Sequence, residues 1–216
     1  MGFTEELRNW SHEQRCREAV KALNHNRFTA LYCESREEAI DYILKQAEEA
    51  LTVGFGGSRT IVDLGLAGRL EAMGKELLDH NRPGLSLEEK LGVMRRQLTC
   101  DLFLASANAI TLTGSIISID GNGNRVASTI FGPRKVILVA GRNKLVGSVD
   151  EGLKRIKAFA APLAARRLDI NVPCAKTGFC IDCNTPDRIC TITMILERKP
   201  RLGDVRVLVV NEELGF

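Results

Sequence analysis

Four cysteines are crowded into one stretch, Cys174-x5-Cys180-x2-Cys183-x6-Cys190, while Cys16, Cys33 and Cys100 are scattered. Four thiolates that close on one point bind a soft or borderline metal, either zinc or an iron–sulfur cluster. Pro173, Gly178, Asp182 and Pro186 suit a loop wrapped around a centre. The spacing lacks the paired C-x-x-C knuckles of a zinc ribbon and differs from the ferredoxin C-x2-C-x2-C-x3-C run. Cys180-Ile-Asp-Cys183 is also a redox-dithiol spacing, but it does not open a helix after a strand as a thioredoxin pair does. Four buried, inert thiols are the plain alternative.

A second group is glycine-rich: Val53-Gly-Phe-Gly-Gly-Ser-Arg-Thr60. It lies between a β-prone run and a helical run. Glycines at such a turn let backbone N–H groups approach an anion, and a helix N-terminus adds further donors. Gly56, Gly57, Ser58, Arg59 and Thr60 are therefore candidate anion ligands. The turn is not a dinucleotide fingerprint, because Arg59 occupies the third glycine position and no acidic residue closes a strand about 20 residues on. It is not a P-loop, since no Gly-Lys-Ser/Thr follows. A third group is polar: Asn108, then Asp120-Gly121-Asn-Gly123-Asn124-Arg125. These offer an acceptor, amide donors and a cation on a tight loop. By composition alone this is a connecting turn. Loops at strand ends of an α/β sheet gather at one crevice, however, and two such loops make one site.

The elements that would position these groups follow from periodicity. Residues 4–26 have helical spacing, and 28–33 form a short strand. Ser35 caps a helix with Ala39, Ile40, Ile43, Leu44 and Ala47 on one face. Residues 51–55 are a strand, and Ser58 starts a helix running through Met73. Ser86 and Glu89 form a capping box for a helix over 85–97. Strands are expected over 101–107, 110–112 and 115–119, the last two flanking a hairpin-like Thr113-Gly114. A short helix covers 125–130, a buried strand 135–140 and a basic helix 150–166. Residues 192–197 and 205–210 read as two closing antiparallel strands. The fold class is α/β: one domain over 1–216, mostly parallel sheet, helices on both faces. Residues 1–34 give an N-terminal helix and strand. Residues 168–191 give a cysteine-containing loop segment before the closing strands.

Composition excludes several roles. The 30 Lys+Arg and 27 Asp+Glu leave a net charge of +3, too little for a nucleic-acid-binding face. No apolar run approaches a membrane span, and the N-terminal stretch is polar without a signal core, which predicts a cytoplasmic protein. An odd cysteine count, seven, fits a reducing compartment. The histidines His12, His25 and His80 have no metal-ligand spacing.

Taken together, residues 53–60, Ser-Ala-Asn-Ala-Ile-Thr (106–111) and Ile-Asp-Gly-Asn-Gly-Asn-Arg-Val-Ala (119–127) resemble the LUD (lactate-utilisation) domain family. So do Phe-Gly-Pro-Arg-Lys-Val-Ile (131–137), Ala-Gly-Arg-Asn-Lys-Leu-Val (140–146) and Val-Asn-Glu-Glu-Leu-Gly-Phe (210–216). The resemblance implies a fold like that of ribose-5-phosphate isomerase, glucosamine-6-phosphate deaminase and the CoA transferases. It implies a role in oxidising L-lactate or a related organic acid, beside partner subunits that carry iron–sulfur clusters. No acidic residue stands where a CoA transferase needs its nucleophilic glutamate, so CoA transfer is disfavoured. The expected ligand is a small anionic or phosphorylated molecule at the glycine-rich loops, with Asn143 added to the candidates and Asp120 as the candidate catalytic group. The alternatives are a sugar-phosphate isomerase or deaminase, with Asp120 or Asp63 as base, and a non-catalytic binding or regulatory subunit. An oligomer is compatible with each reading.

Overall fold

Strand Lys135–Gly141 is apolar on both faces and nearly all buried, so it must lie inside a sheet covered on both sides. The computed structural model, which describes residues 2–216, shows this arrangement. In chain order the strands are β1 (Thr29–Cys33), β2 (Thr52–Phe55), β3 (Glu76–Asp79), β4 (Leu102–Ala105), β5 (Ala109–Thr111), β6 (Ile116–Asp120), β7 (Lys135–Gly141), β8 (Leu145–Val146), β9 (Ile192–Leu196) and β10 (Val205–Val210). The helices are α1 (Phe3–His25), α2 (Arg36–Ala47), α3 (Arg59–Asp63), α4 (Leu66–Ala72), α5 (Leu87–Gln97), α6 (Asn124–Ile130), α7 (Val149–Arg155), α8 (Ala161–Arg167) and α9 (Pro173–Thr177).

Six strands form an all-parallel sheet in the order β1-β10-β7-β4-β2-β3. Alternation divides its side chains between two cores. Ile137 and Val139 of β7 join α2, α3 and α4 on one face. Val136, Leu138 and Ala140 join Cys16, Ala19 and Leu23 of α1 on the other. A second sheet, β8-β5-β6-β9, packs on the α1 side and buries Ile110 and Ile116 there. The expected caps are present: Ser35 accepts from the Glu38 N–H, and Ser86 with Glu89 makes the capping box.

Three expectations are corrected. The helix expected from Ser58 to Met73 is broken into α3 and α4 at Gly65, whose φ of 62° is left-handed. The basic helix is interrupted by a π-helical turn, Ile156–Ala160, two residues before Pro162; proline has no N–H to continue the regular ladder. The closing strands are not partners. β10 inserts in parallel between β1 and β7, whereas β9 pairs antiparallel with β6 in the second sheet. Their burial explains the split. β10 is buried along almost its whole length and suits a sheet interior, while β9 is mostly exposed and suits an edge.

The route of the chain makes a crevice. After β2 it turns to α3 on one face of the large sheet, and after the neighbouring β4 it turns to the small sheet on the other. Adjacent strands whose exits diverge leave a gap at their carboxyl ends, the usual ligand position in open α/β sheets.

Candidate ligand-binding crevice

The crevice has a volume of about 470 Å³, within the usual range for small-molecule sites. Its floor is the turn after β2. Gly57 has φ 68°, and a Cβ at Gly56 would stand 3.0 Å from the Ala105 Cβ, so both positions favour glycine. Ser58 is the N-terminal residue flanking α3, yet its side chain caps no helical N–H. Arg59 is held one turn along by Asp63, at 2.6 Å. That ion pair engages one oxygen of the Asp63 carboxylate.

The central loop is built around Asp120. Its carboxylate accepts from the N–H groups of Asn122, Gly123 and Val126, each at 3.2 Å, and lies 3.7 Å from the Arg125 Nε. Its oxygens are occupied in holding the loop and the start of α6. Asp120 thus holds the loop in place while still lining the crevice. Asn108 works alongside it: its Oδ1 accepts from the Ile119 N–H at 2.9 Å and from Arg125 at 3.4 Å. Arg125 also donates to the Ile119 carbonyl. Burial pulls its pKa down and Asp120 pushes it back up.

Of the sequence candidates, Gly56, Gly57, Ser58, Arg59, Thr60, Asn108, Asp120, Gly121, Asn124 and Arg125 all line this one crevice. Gly123 does not; with φ 85° it supports the start of α6 from behind. Asn143 is also corrected. It turns away and clamps residues 214–215, accepting from the Leu214 N–H and donating to the Gly215 carbonyl, each at 3.2 Å.

Its neighbour Lys144 is the residue the sequence reading missed. The 3₁₀ turn Arg142–Lys144 after β7 sends Lys144 inward, where it is 3% exposed and lines the crevice. Its Nζ donates to Thr60 Oγ1 and Ser106 Oγ, both at 2.8 Å. Those hydroxyls donate onward to the Leu214 and Ala107 carbonyls, which leaves their lone pairs for the lysine. No carboxylate pairs with Lys144 among the described residues. Burial, with Arg155 and Arg125 nearby, pulls its pKa down to about 7. Near neutral pH the amine therefore exchanges between charged and neutral forms. As an ammonium, its third N–H is left for a ligand; as an amine, a lone pair takes that position.

Two more residues were not among the candidates. Arg167 of α8 reaches the Gly57 carbonyl at 3.3 Å and stacks on the Phe216 ring. His80, at the end of β3, meets the Gln97 amide nitrogen through Nδ1 at 3.1 Å. That nitrogen also donates to the carbonyls of Phe55 and Leu78, each at 2.8 Å, which engages both of its hydrogens. Burial lowers the His80 pKa and favours the neutral ring. The signal available for all three was position: each follows or faces the end of a parallel strand. In the basic helical run Arg155 turns inward and donates to the carbonyls of Asn143 and Asn108.

The model of the LUD domain family matches residues 16–210. The chain belongs to the LUD domain family. As a LUD-domain protein it is related to lactate utilisation at the level of the family. A crystal structure of a DUF162 family protein from Deinococcus radiodurans has a similar fold, with a TM-score of 0.53 and 17% identity. The likeness covers 92% of this chain and 98% of that one. No curated protein matches the sequence. The LUD-domain fold thus covers nearly the whole chain, including every strand that borders the crevice. No helix among its described residues is long and apolar enough to cross a membrane.

Proposed function

We propose that this LUD-domain protein binds a small anionic ligand, a carboxylate or a phosphorylated molecule, in the crevice, and acts in the oxidation of L-lactate or a related organic acid. One observation carries the reading: Lys144 is buried in the crevice lining with no ion pair among the described residues, and the exposed Arg167, likewise without an ion pair among them, lines the same crevice. A buried, unpaired cation is costly, and an anionic ligand offsets that cost. The hydroxyl of Ser58 adds a neutral donor, and the His80 ring lines the same crevice. In the oxidation, lactate gives up two electrons and two protons to become pyruvate. The electrons go to an external acceptor, for which the family resemblance suggests iron–sulfur partner subunits.

Calorimetry with L-lactate, pyruvate, inorganic phosphate and a sugar phosphate tests binding. At least one is expected to bind, and replacing Lys144 by Met should weaken it about 10- to 100-fold, the value of a hydrogen bond to a charged group. Unchanged affinity in both Lys144→Met and Arg167→Ala would overturn the anion site. An artificial electron acceptor added with L-lactate tests the oxidation separately.

A second reading, a sugar-phosphate isomerase or deaminase, is favoured by Lys144 alone. An amine with a pKa of about 7 is poised to take a proton from a substrate carbon. Exchange of a sugar-phosphate C–H with deuterated water, lost in Lys144→Arg, would support it. Absence of exchange in the parent protein would remove it.

A further inference from the structure

The segment 168–191 contains a second, smaller site. Cys174 lies in α9, Cys180 and Cys183 follow Gly178, and Cys190 leads into β9. All four line one cavity of about 20 Å³. All are reduced and partly buried, and none is paired in a disulfide. The rest of the lining is apolar, with Ile119, Ile156, Val172 and Ile189, apart from two cations, Lys157 and Arg188.

The backbone is held in place by polar contacts more than by packing. Arg188 donates to the carbonyls of Cys183 and Cys190 and to the Asp182 carboxylate. Asp182 has φ 52°, and its N–H donates to the Cys180 sulfur at 3.3 Å. That bond suits a sulfur carrying negative charge. Four thiols gain little from gathering at a cavity with one another, whereas four thiolates bound to metal gain a great deal.

The ligand set bears on the kind of metal. Among the described residues, no three His, Cys, Asp or Glu side chains stand as a single bound ion requires. Around one zinc the sulfurs would sit about 3.8 Å apart, given Zn–S bonds of about 2.3 Å. Four cysteine thiolates on an otherwise largely apolar cavity are the ligand set of an iron–sulfur cluster, in which an inorganic core separates the sulfurs. Lys157 and Arg188 are placed to offset the net negative charge of a cluster with four thiolates.

We propose that Cys174, Cys180, Cys183 and Cys190 bind a four-iron, four-sulfur cluster. The cavity holds about one water-sized body, so loading spreads the loop outward, where Ile181 and Asp182 are exposed. The spreading reaches the crevice, because Ile119, Ile156, Arg188 and Ile189 line both cavities. Only this last step rests on the crevice being a ligand site.

The test uses the full chain, purified without oxygen and reconstituted with ferrous iron and sulfide. Four irons and four sulfides per chain are expected, with broad visible absorption that dithionite bleaches. Cys180→Ser and Cys183→Ser should lose most of the iron while keeping the parent circular-dichroism spectrum. Cys16→Ala, outside the segment, should keep it. Stoichiometric zinc with no sulfide would overturn the cluster. So would four titratable thiols with no metal, or full iron loading in both serine variants. If those variants fail to fold, the metal content of the parent decides alone. Anion binding is measured without regard to iron, so failure of the cluster and failure of the anion site are separate results.

Discussion

The crevice and the cysteine segment are both sets of polar residues on loops, but they are held in place by different means. The crevice loops leave buried parallel strands, and its central loop is tied by Asp120 through several backbone N–H groups. The cysteine segment leaves no sheet and has one short helix, α9, and its shape depends chiefly on Arg188. A site on strand ends is complete before a ligand arrives. A site on a 24-residue loop needs its occupant to finish it.

The largest effect that sharpens this contrast is on proton linkage. Lys144 has a folded pKa of about 7, below its ordinary value of 10.5. Between these values the unfolded chain holds a proton that the folded chain lacks. Stability therefore rises with pH across that window, by about 1.4 kcal/mol per unit at its steepest. The full penalty applies below pH 7. Urea midpoints from about pH 7 to 10 should show the rise in the parent and lose it in Lys144→Met. The same slope in both would mean that the crevice does not hold an uncompensated amine.

Next in size is anion affinity. Lys144→Met combined with Arg167→Ala should lose about 100-fold or more by calorimetry, with iron content unchanged. Loss of iron in that variant would break the separation between the regions. Gly56→Val should then cost about 1–3 kcal/mol by overpacking against Ala105 and Phe103, read as a lower denaturant midpoint. Inserting two glycines after the exposed Asn184 should cost under about 1 kcal/mol, in line with loop-closure entropy. Smallest is a difference in amide exchange. Without metal, residues 179–187 should exchange faster than β4 and β7, and loading should slow only the former.

The parts of the site legible in the sequence were those whose chemistry needs a local pattern. The glycine turn at 54–58 and the loop at 120–125 announce themselves by residue type, and they do meet. Lys144 and Arg167 carry no such pattern. A lysine after a strand is ordinary until the 3₁₀ turn directs it inward and its neighbour Asn143 outward. The parallel sheet was legible in the apolar run of β7, and β10 shares its two-sided burial. Pairing β9 with β10 failed because neighbours in sequence are not neighbours in space. Short, half-exposed strands leave that choice to tertiary packing.

The ties made by Asp120 also bear on how fast a ligand binds. Ordering one residue costs about 1–2 kcal/mol, and the loop at 120–123 is ordered by its own carboxylate before any encounter. Association should follow a single exponential whose rate rises linearly with ligand concentration, with no slow isomerisation afterwards. Differences in affinity among related anions would then appear in how long each stays, not in how quickly it arrives.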